Sequence, residues 1–291
     1  MRGYRTVGLS VAAMLAVSGC QEKQQAVSGA DATAVGAPAA TGAPAGPAVV
    51  TVHARDFSYD APDQIPAGMT TFHLVNDGPG LHHLVVVRLD SGKAMSDLQT
   101  ALKNPGPFPR WATLIGGPNA ADPHAESVGT LDIAPGNYVL ICFVETSGGP
   151  HFAKGMLRPL TVTAARGPTG PAPTADVTLT LSNYKFDLSQ PLTAGPHTIK
   201  VEAAAGQPHE VVIVRLDPGK TLDDLMKWVP TMVGAPPGHA VGGASPAAAG
   251  YPTYITLTLV PATYVFICFL PDAADGKPHA MHGMVQTIDV T

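Results

Sequence analysis

One sequence pattern occurs twice in this chain, and the duplication restricts the folds that the chain can adopt. Residues 138–156 read YVLICFVETSGGPHFAKGM, and residues 264–284 read YVFICFLPDAADGKPHAMHGM. Each copy has a tyrosine four positions before a cysteine, then Pro-His, and then a methionine after four more residues. A thiolate, an imidazole and a thioether are soft and borderline donors that copper selects. A pattern that occurs twice needs one cause, either a metal site or a packing motif.

The duplication continues upstream of the two motifs. Residues 82–90 (HHLVVVRLD) align with residues 209–217 (HEVVIVRLD), and an Ala-Gly pair precedes each segment, at 67–68 and 194–195. The order of these features is the same in both halves, which indicates one domain that has been duplicated. The predicted boundaries are 48–164 for the first domain, 165–175 for a Gly- and Pro-rich linker, and 176–291 for the second domain.

The composition and the residue patterns of both halves are typical of β-structure. Only 13% of the residues are charged, whereas glycine (31 residues) and proline (29 residues) are abundant. Short runs such as 49–54 and 177–181 alternate apolar and polar residues, as half-buried strands do. Turn signals between such runs predict an all-β chain with one β-sandwich in each half. Helix-like spacing marks 95–102 and 222–228, and the Ala/Gly/Pro-rich stretch 234–250 is predicted to be a loose excursion.

The N-terminal residues have the pattern of an export signal. Two arginines precede an apolar stretch at 7–17, which is too short to span a membrane. The sequence Val-Ser-Gly-Cys then ends at Cys20 and resembles a bacterial lipoprotein signal, which implies a signal peptide at 1–19 and a lipid on Cys20. By the same resemblance, Gln21 favours the periplasmic side of the outer membrane in the cell envelope. Residues 20–47 are predicted to be a disordered tether. The alternative is an ordinary signal peptide in which Cys20 is incidental.

The repeated motif resembles the cupredoxin, or blue copper, family of plastocyanin and azurin. The likeness is carried by Tyr-x-x-x-Cys, followed by Pro-His-x-x-x-x-Met before a last strand. In that family a further histidine begins an inner strand, and His209 after Pro208 matches it, with His82 at the aligned position of the first half. The resemblance implies two tandem Greek-key β-sandwich domains. The implied copper ligands are His82, Cys142, His151 and Met156 in the first domain, and His209, Cys268, His279 and Met284 in the second.

The resemblance implies one or two copper ions, and the first site is favoured. Eight residues separate Cys142 from His151, as in the related site of copper nitrite reductases, whereas ten separate Cys268 from His279. A longer loop loses preorganisation. Other interpretations of these residues remain open. The cysteines and methionines can be apolar core residues, the histidines can be turn residues, and the exported location permits a disulfide between Cys142 and Cys268.

Together with the resemblance, these observations predict an exported, lipid-anchored copper-binding protein with one or two mononuclear type 1-like sites. Its predicted role is electron transfer, for which a redox partner protein is expected. The formal net charge of -5 excludes an electrostatic case for nucleic acid. Two alternatives remain. A copper storage or handling protein is suggested by His279, Met281, His282 and Met284, and a metal-free scaffold could bind another envelope protein.

The residues beside the two cysteines favour binding over catalysis. In copper oxidases and nitrite reductases of this family, the catalytic copper needs further histidines, usually next to the cysteine. Here the neighbours are Ile141 and Phe143 in the first half, and Ile267 and Phe269 in the second. The sequence contains no His-x-His pair, and adjacent His82 and His83 would point to opposite faces of a strand. We therefore predict that the chain is not an enzyme.

Overall fold

The computed structural model describes residues 46–104, 106–146, 148–165, 170–231 and 234–291. The predicted signal peptide, Cys20 and all but the last two residues of the predicted tether lie outside the described residues. Within the described ranges, no helix has the length and apolar character that crossing a membrane requires.

Short strands dominate the described part of the chain. The first half contains β1 (Ala48–Arg55), β2 (Ser58–Asp60), β3 (Gln64–Pro66), β4 (Gly68–Asn76), β5 (Val85–Leu89), helix α1 (Met95–Leu102), β6 (Ala112–Leu114), β7 (Glu126–Ile133), β8 (Gly136–Ile141) and β9 (Leu157–Thr163). The second half contains β10 (Val177–Ser182), β11 (Lys185–Leu188), β12 (Gly195–Ala203), β13 (His209–Leu216), helix α2 (Leu222–Trp228), β14 (Gly238–Ala247), β15 (Thr253–Leu259), β16 (Ala262–Ile267) and β17 (Val285–Val290). The predicted strands and both helical segments are confirmed.

The strands form two β-sandwiches, which confirms the predicted fold class. A five-stranded sheet (β3-β9-β8-β5-β6) and a four-stranded sheet (β14-β13-β16-β17) each pack against part of an eight-stranded sheet. The order of that large sheet is β11-β10-β12-β15-β7-β4-β1-β2. Side chains such as Phe72 and Leu140 fill the first core, and Ile199 and Phe266 fill the second. Burial of these alternating apolar residues is the main stabilisation of each sandwich.

The two halves share the eight-stranded sheet. Strand β15 pairs antiparallel with β7, with Tyr254 opposite Thr130 and Ile255 opposite Gly129. The sequence predicted two separate domains and did not predict this pairing. The domain boundaries therefore remain a prediction, since one sheet contains strands from both sides of the linker.

The prediction of a loose excursion at 234–250 is wrong. Residues 238–247 form β14, which pairs with β13 and makes isolated bridges to the segment 115–121 of the first half. Gly243 permits this close packing, because a Cβ there would lie 2.0 Å from the carbonyl oxygen of Val211. Most residues of β14 are buried and small, so its sequence lacks the alternation of apolar and polar residues that normally predicts a strand.

Candidate metal centres

The structure brings the first set of predicted donor residues to one end of the first sandwich. His82 lies just before β5, and Cys142 directly follows β8. His151 begins a short 3₁₀ helix (His151–Lys154), and Met156 directly precedes β9. Three of the four residues therefore come from one loop between adjacent strands, and the sandwich positions the fourth.

The three side chains of the first centre converge in the protein interior. The Nδ1 atoms of His82 and His151 are 3.2 Å apart, and Cys142 Sγ is 3.5 Å from His151 Nδ1. One donor atom of each residue lies within 4.8 Å of the others, and all three residues are buried. Since imidazole nitrogens bind transition metals at about 2.0–2.1 Å, two nitrogens at this separation can share one ion at an angle of about 100°. Met156 is fully buried in the same core cluster as Cys142.

The second centre repeats this geometry. The Nδ1 atoms of His209 and His279 are 3.2 Å apart, and Cys268 Sγ is 3.3 Å from His279 Nδ1. These residues are also buried and satisfy the same 4.8 Å criterion. Met284 is fully buried in the core cluster that contains Cys268. The two sets of donors are thus equivalent in position as well as in sequence.

Backbone hydrogen bonds hold both donor loops in the same shape. The amide of Cys142 donates to the carbonyl of Met156, and that of Cys268 to the carbonyl of Met284, each at 3.2 Å. The amides of Met156 and Met284 donate to His151 at 3.1 Å and His279 at 3.0 Å, respectively. A glycine with left-handed backbone, at 155 or 283, precedes each methionine and makes this reversal possible.

The two additional residues of the second loop do not disturb the donors. The amide of the loop histidine donates to the residue two positions after the cysteine in both loops, at 2.9 Å to Val144 and 2.8 Å to Leu270. The extra length is taken up between Pro271 and Pro278, where the amide of Asp272 donates to the carbonyl of Lys277 at 2.8 Å. The sequence favoured the first centre because its loop is shorter, but the donor geometry is the same in both centres.

Burial places the donors in the protonation states that precede metal binding. It raises the pKa of Cys142 to about 11 and also raises that of Cys268. Burial, together with the neighbouring imidazole, lowers the pKa of His151 and of His209 to about 4. At neutral pH the imidazoles are therefore neutral and available as ligands. The thiols hold protons that a metal ion must displace.

A different carboxylate lies behind one histidine in each centre. In the first, the Asp56 carboxylate accepts a 2.8 Å hydrogen bond from His82 Nε2, which leaves His82 Nδ1 free to face the other donors. In the second, Asp272 Oδ2 lies 3.7 Å from Nε2 of His279, a buried nitrogen with no hydrogen-bond partner. Hydrogen bonds from Tyr184 and Gln207 to Asp272 lower the pKa of that carboxyl. Carboxylates behind ligand histidines are typical of metal sites.

Sequence reasoning missed several residues around the centres. Neither Asp56 nor Asp272 was predicted, since each lies in a loop outside the strands and lacks a repeated counterpart with the same contact. In the sequence, His83 and Glu210 stand out only as neighbours of the aligned histidines His82 and His209. Their position offered a signal, because each is a polar residue that follows a predicted ligand at the start of an apolar strand.

The structure bears on two of the alternative interpretations. Cys142 and Cys268 are free cysteines, so the disulfide is not formed. Of the four residues suggested for copper storage, His279 and Met284 lie in the second centre. Met281 is 67% exposed, and His282 contacts Asp275 at 3.1 Å instead. The four residues therefore do not form one cluster of donors.

No protein-family profile matches the sequence, and no curated protein sequence matches it. Among solved structures, the blue copper protein auracyanin A of Chloroflexus aurantiacus is 21% identical, with a TM-score of 0.30 over 40% of this chain and 100% of that chain. A copper nitrite reductase of Nitrosomonas europaea is 13% identical, with a TM-score of 0.25 over 84% of this chain and 93% of that chain. A blue copper oxidase of the same organism is 13% identical, with a TM-score of 0.23, over 83% and 85% of the two chains.

By this comparison the prediction that the chain is not an enzyme is wrong. The nitrite reductase and the oxidase named above, which cover 84% and 83% of this chain, are enzymes. The prediction depended on the residues beside the two cysteines, and that local criterion is insufficient where carriers and enzymes share a fold. The likeness itself concerns the fold alone, and the two β-sandwiches are established by the strand pairing described above.

Proposed function

We propose that this protein binds one copper ion at each centre and transfers electrons. The observation that supports the proposal most strongly is the repeated convergence of two imidazoles and one thiol, with a buried thioether on the same loop. Two histidines and a cysteine with a weak axial methionine are the donor set of blue copper sites. A structural zinc site would use four strong ligands in a tetrahedron, and a thioether is a poor substitute for one of them.

The protein residues contribute rigidity and the exclusion of water. Each donor loop is held at both ends by strands and by repeated backbone hydrogen bonds, so its donors are placed before a metal arrives. The side chains of Phe57 and Tyr184 pack edge-on against the loop histidines, with ring centroids 4.9 Å from His151 and 5.4 Å from His279. When bound, copper supplies a reversible one-electron couple. A fixed, buried donor set limits the rearrangement that accompanies such a change of charge.

Copper titration with spectroscopy tests this proposal. The chain from residue 20, carrying Cys20→Ser, is loaded with Cu(II), and its metal content and visible spectrum are recorded. We expect two copper ions and an intense thiolate-to-copper band. Cys142→Ser and Cys268→Ser should each remove one ion and the corresponding part of the band. Tight Cu(I) binding without colour would support copper storage instead, and the absence of stoichiometric metal would support a metal-free scaffold.

The location of the protein is a separate part of the proposal. A lipid on Cys20 and a tether up to residue 47 would hold the folded part on the periplasmic side of the outer membrane, where a redox partner protein could reach it. Fractionation of cells that express the natural chain or Cys20→Ala tests this. Recovery of both proteins in the same soluble fraction would exclude the lipid anchor and leave copper binding unaffected.

A further inference from the structure

A continuous chain of hydrogen bonds runs through the interior from one metal centre to the other. It consists of His83, Asn119 and Glu210, which we call the bridge. His83 Nδ1 lies 3.3 Å from Asn119 Oδ1, and Asn119 Nδ2 donates to Glu210 Oε2 at 2.9 Å. The backbone amide of Phe143 donates to His83 Nε2 at 2.7 Å, and that of Phe269 donates to Glu210 Oε1 at 3.1 Å.

Both ends of the bridge are covalently next to metal donors. Phe143 and Phe269 directly follow Cys142 and Cys268 in the chain. His83 and Glu210 themselves directly follow His82 and His209. Hydrogen bonds from the backbone amides of His83 and Glu210 also lower the pKa values of Cys142 and Cys268 against the effect of burial. Each end therefore contacts its centre on both the thiol side and the imidazole side.

The donors and acceptors of the bridge are matched along its whole length. The Phe143 amide makes His83 Nε2 an acceptor, so Nδ1 carries the proton and donates to Asn119 Oδ1. The amide group of Asn119 then donates to Glu210. Because the Phe269 amide also donates to Glu210, the last member must accept at both oxygens, as a carboxylate does. Glutamine at position 210 would turn a second donor toward Asn119.

The bridge is buried where apolar residues would normally lie. His83 is 7% exposed, Asn119 is 0% exposed and Glu210 is 5% exposed. Asn119 also donates to the carbonyl groups of Val211 and Ala244, so it links the first half firmly to the second. Buried polar groups cost free energy, and apolar replacements of similar volume are often equally or more stable. A contact that only held the two halves together would not need to begin and end next to the metal donors.

We propose that the bridge is the route by which an electron passes between the two centres. The inference rests on the proposed function, because it requires copper at both sites. With copper at both centres, one ion would be oxidised from Cu(I) to Cu(II) while the other would be reduced from Cu(II) to Cu(I), so no further reactant would be needed. Covalent and hydrogen bonds transmit electronic coupling better than gaps between non-bonded atoms. Every non-covalent contact of the bridge is a hydrogen bond of 3.3 Å or less.

Intramolecular electron transfer can be measured directly if the two centres are spectrally distinct. Met156→Gln provides this distinction, since glutamine is an alternative axial ligand that alters the potential and the electronic structure of such a site. In this background, a flash photoreductant delivers less than one electron per molecule to the copper-loaded protein. The first-order, concentration-independent exchange between the two bands is then followed.

Asn119→Leu removes both central hydrogen bonds of the bridge and keeps the same number and branching of side-chain heavy atoms. We expect it to slow the first-order exchange by about tenfold or more, because coupling follows contiguous networks. Ser245→Ala is the matched control, since Ser245 is also buried and donates across the same contact, at 3.0 Å to the carbonyl of Pro118, outside the bridge. The control should leave the rate within about twofold of the background, and both variants should retain two copper ions.

Equal rates in Asn119→Leu and Ser245→Ala would overturn the proposal while leaving copper binding intact. If Asn119→Leu does not fold, Glu210→Gln replaces it, because this change breaks the bridge at one hydrogen bond with little change in shape. Exchange at the background rate in that variant would likewise overturn the proposal. Failure of the background protein to bind copper at all would instead refute the proposed function, and the metal stoichiometry distinguishes the two results.

Discussion

Glu210 makes the stability of the metal-free protein depend on pH. Burial raises the pKa of its carboxyl from 4.5 to about 7. Between these values the folded protein holds a proton that the unfolded chain has released. The stability contributed by Glu210 is therefore complete below pH 4.5 and is lost as the pH rises through 7. At about 1.4 kcal/mol for each pH unit, the loss is about 3 kcal/mol.

Urea unfolding of the natural chain and of Glu210→Gln between about pH 4 and pH 8.5 measures this loss. The free energy of unfolding of the variant, minus that of the natural chain, should increase by about 3 kcal/mol with rising pH. In Glu210→Gln, the side-chain amide turns a donor toward the donor group of Asn119. This lowers the free energy of unfolding of the variant by an amount that does not depend on pH. Burial lowers the pKa of His83 to about 4, but His83 titrates in both proteins and its effect cancels.

Ser245→Ala is the control for the pH experiment, since it removes a buried hydrogen bond at the contact between the halves without removing a titrating group. The difference in unfolding free energy between Ser245→Ala and the natural chain should not change with pH. If the Glu210→Gln difference is equally flat, the carboxyl is ionised in the folded protein over the whole range. That result would refute the raised pKa of the buried Glu210 carboxyl and would leave the bridge, in which both Glu210 oxygens accept hydrogen bonds, unchanged.

Three further results are expected. Copper binding at neutral pH should release one thiol proton per site, detected with an indicator dye, because burial raises the pKa of Cys142 to about 11; release that persists undiminished in Cys142→Ser would contradict this. Asp56→Asn should weaken copper binding at the first centre by about 10–100-fold in a competition titration and leave the second unchanged; equal effects at both centres would contradict the assignment of Asp56 to His82. Gly243→Ala, whose Cβ would meet the Val211 carbonyl at 2.0 Å, should lower the unfolding free energy by more than about 3 kcal/mol. In the control Gly250→Ala, the new Cβ meets nothing within 4 Å, so the unfolding free energy should fall by only about 1 kcal/mol. Equal losses in the two variants would show that the packing of β14 does not need Gly243.

The eight donor residues could be predicted because their signals are local and occur twice. A strand that ends in cysteine, a short loop and the pair of histidine and methionine are all visible in consecutive residues. Alignment of the two halves then favoured His82 over His83 as the metal ligand. In the structure, His82 contacts His151 and His83 contacts Asn119. Periodicity also predicted both helices, because their apolar residues contact one face of the sheets.

The contacts between the halves could not be predicted, because they join residues far apart in the sequence. Asn119 lies in a segment without periodicity, and its partner Glu210 is 91 positions away. Strand β14 shows no alternation, because most of its residues are buried and small. Glu210 could be recognised as a charge in an apolar strand, but only the folded chain shows which group it contacts.

The carboxylates behind the ligands make the two centres chemically unequal despite their equal donor geometry. Asp56 bonds directly to His82 at 2.8 Å, whereas Asp272 lies 3.7 Å from His279 and shares its charge with Tyr184 and Gln207. A directly bonded carboxylate makes the imidazole more electron-rich and favours Cu(II) over Cu(I). The first centre should therefore have the lower reduction potential, so that electrons pass from it to the second. Potentials measured on Cys268→Ser, which keeps the first centre, and Cys142→Ser, which keeps the second, test this order. Asp56→Asn should raise the potential of the first centre toward that of the second, and an unchanged potential would show that Asp56 does not determine the order.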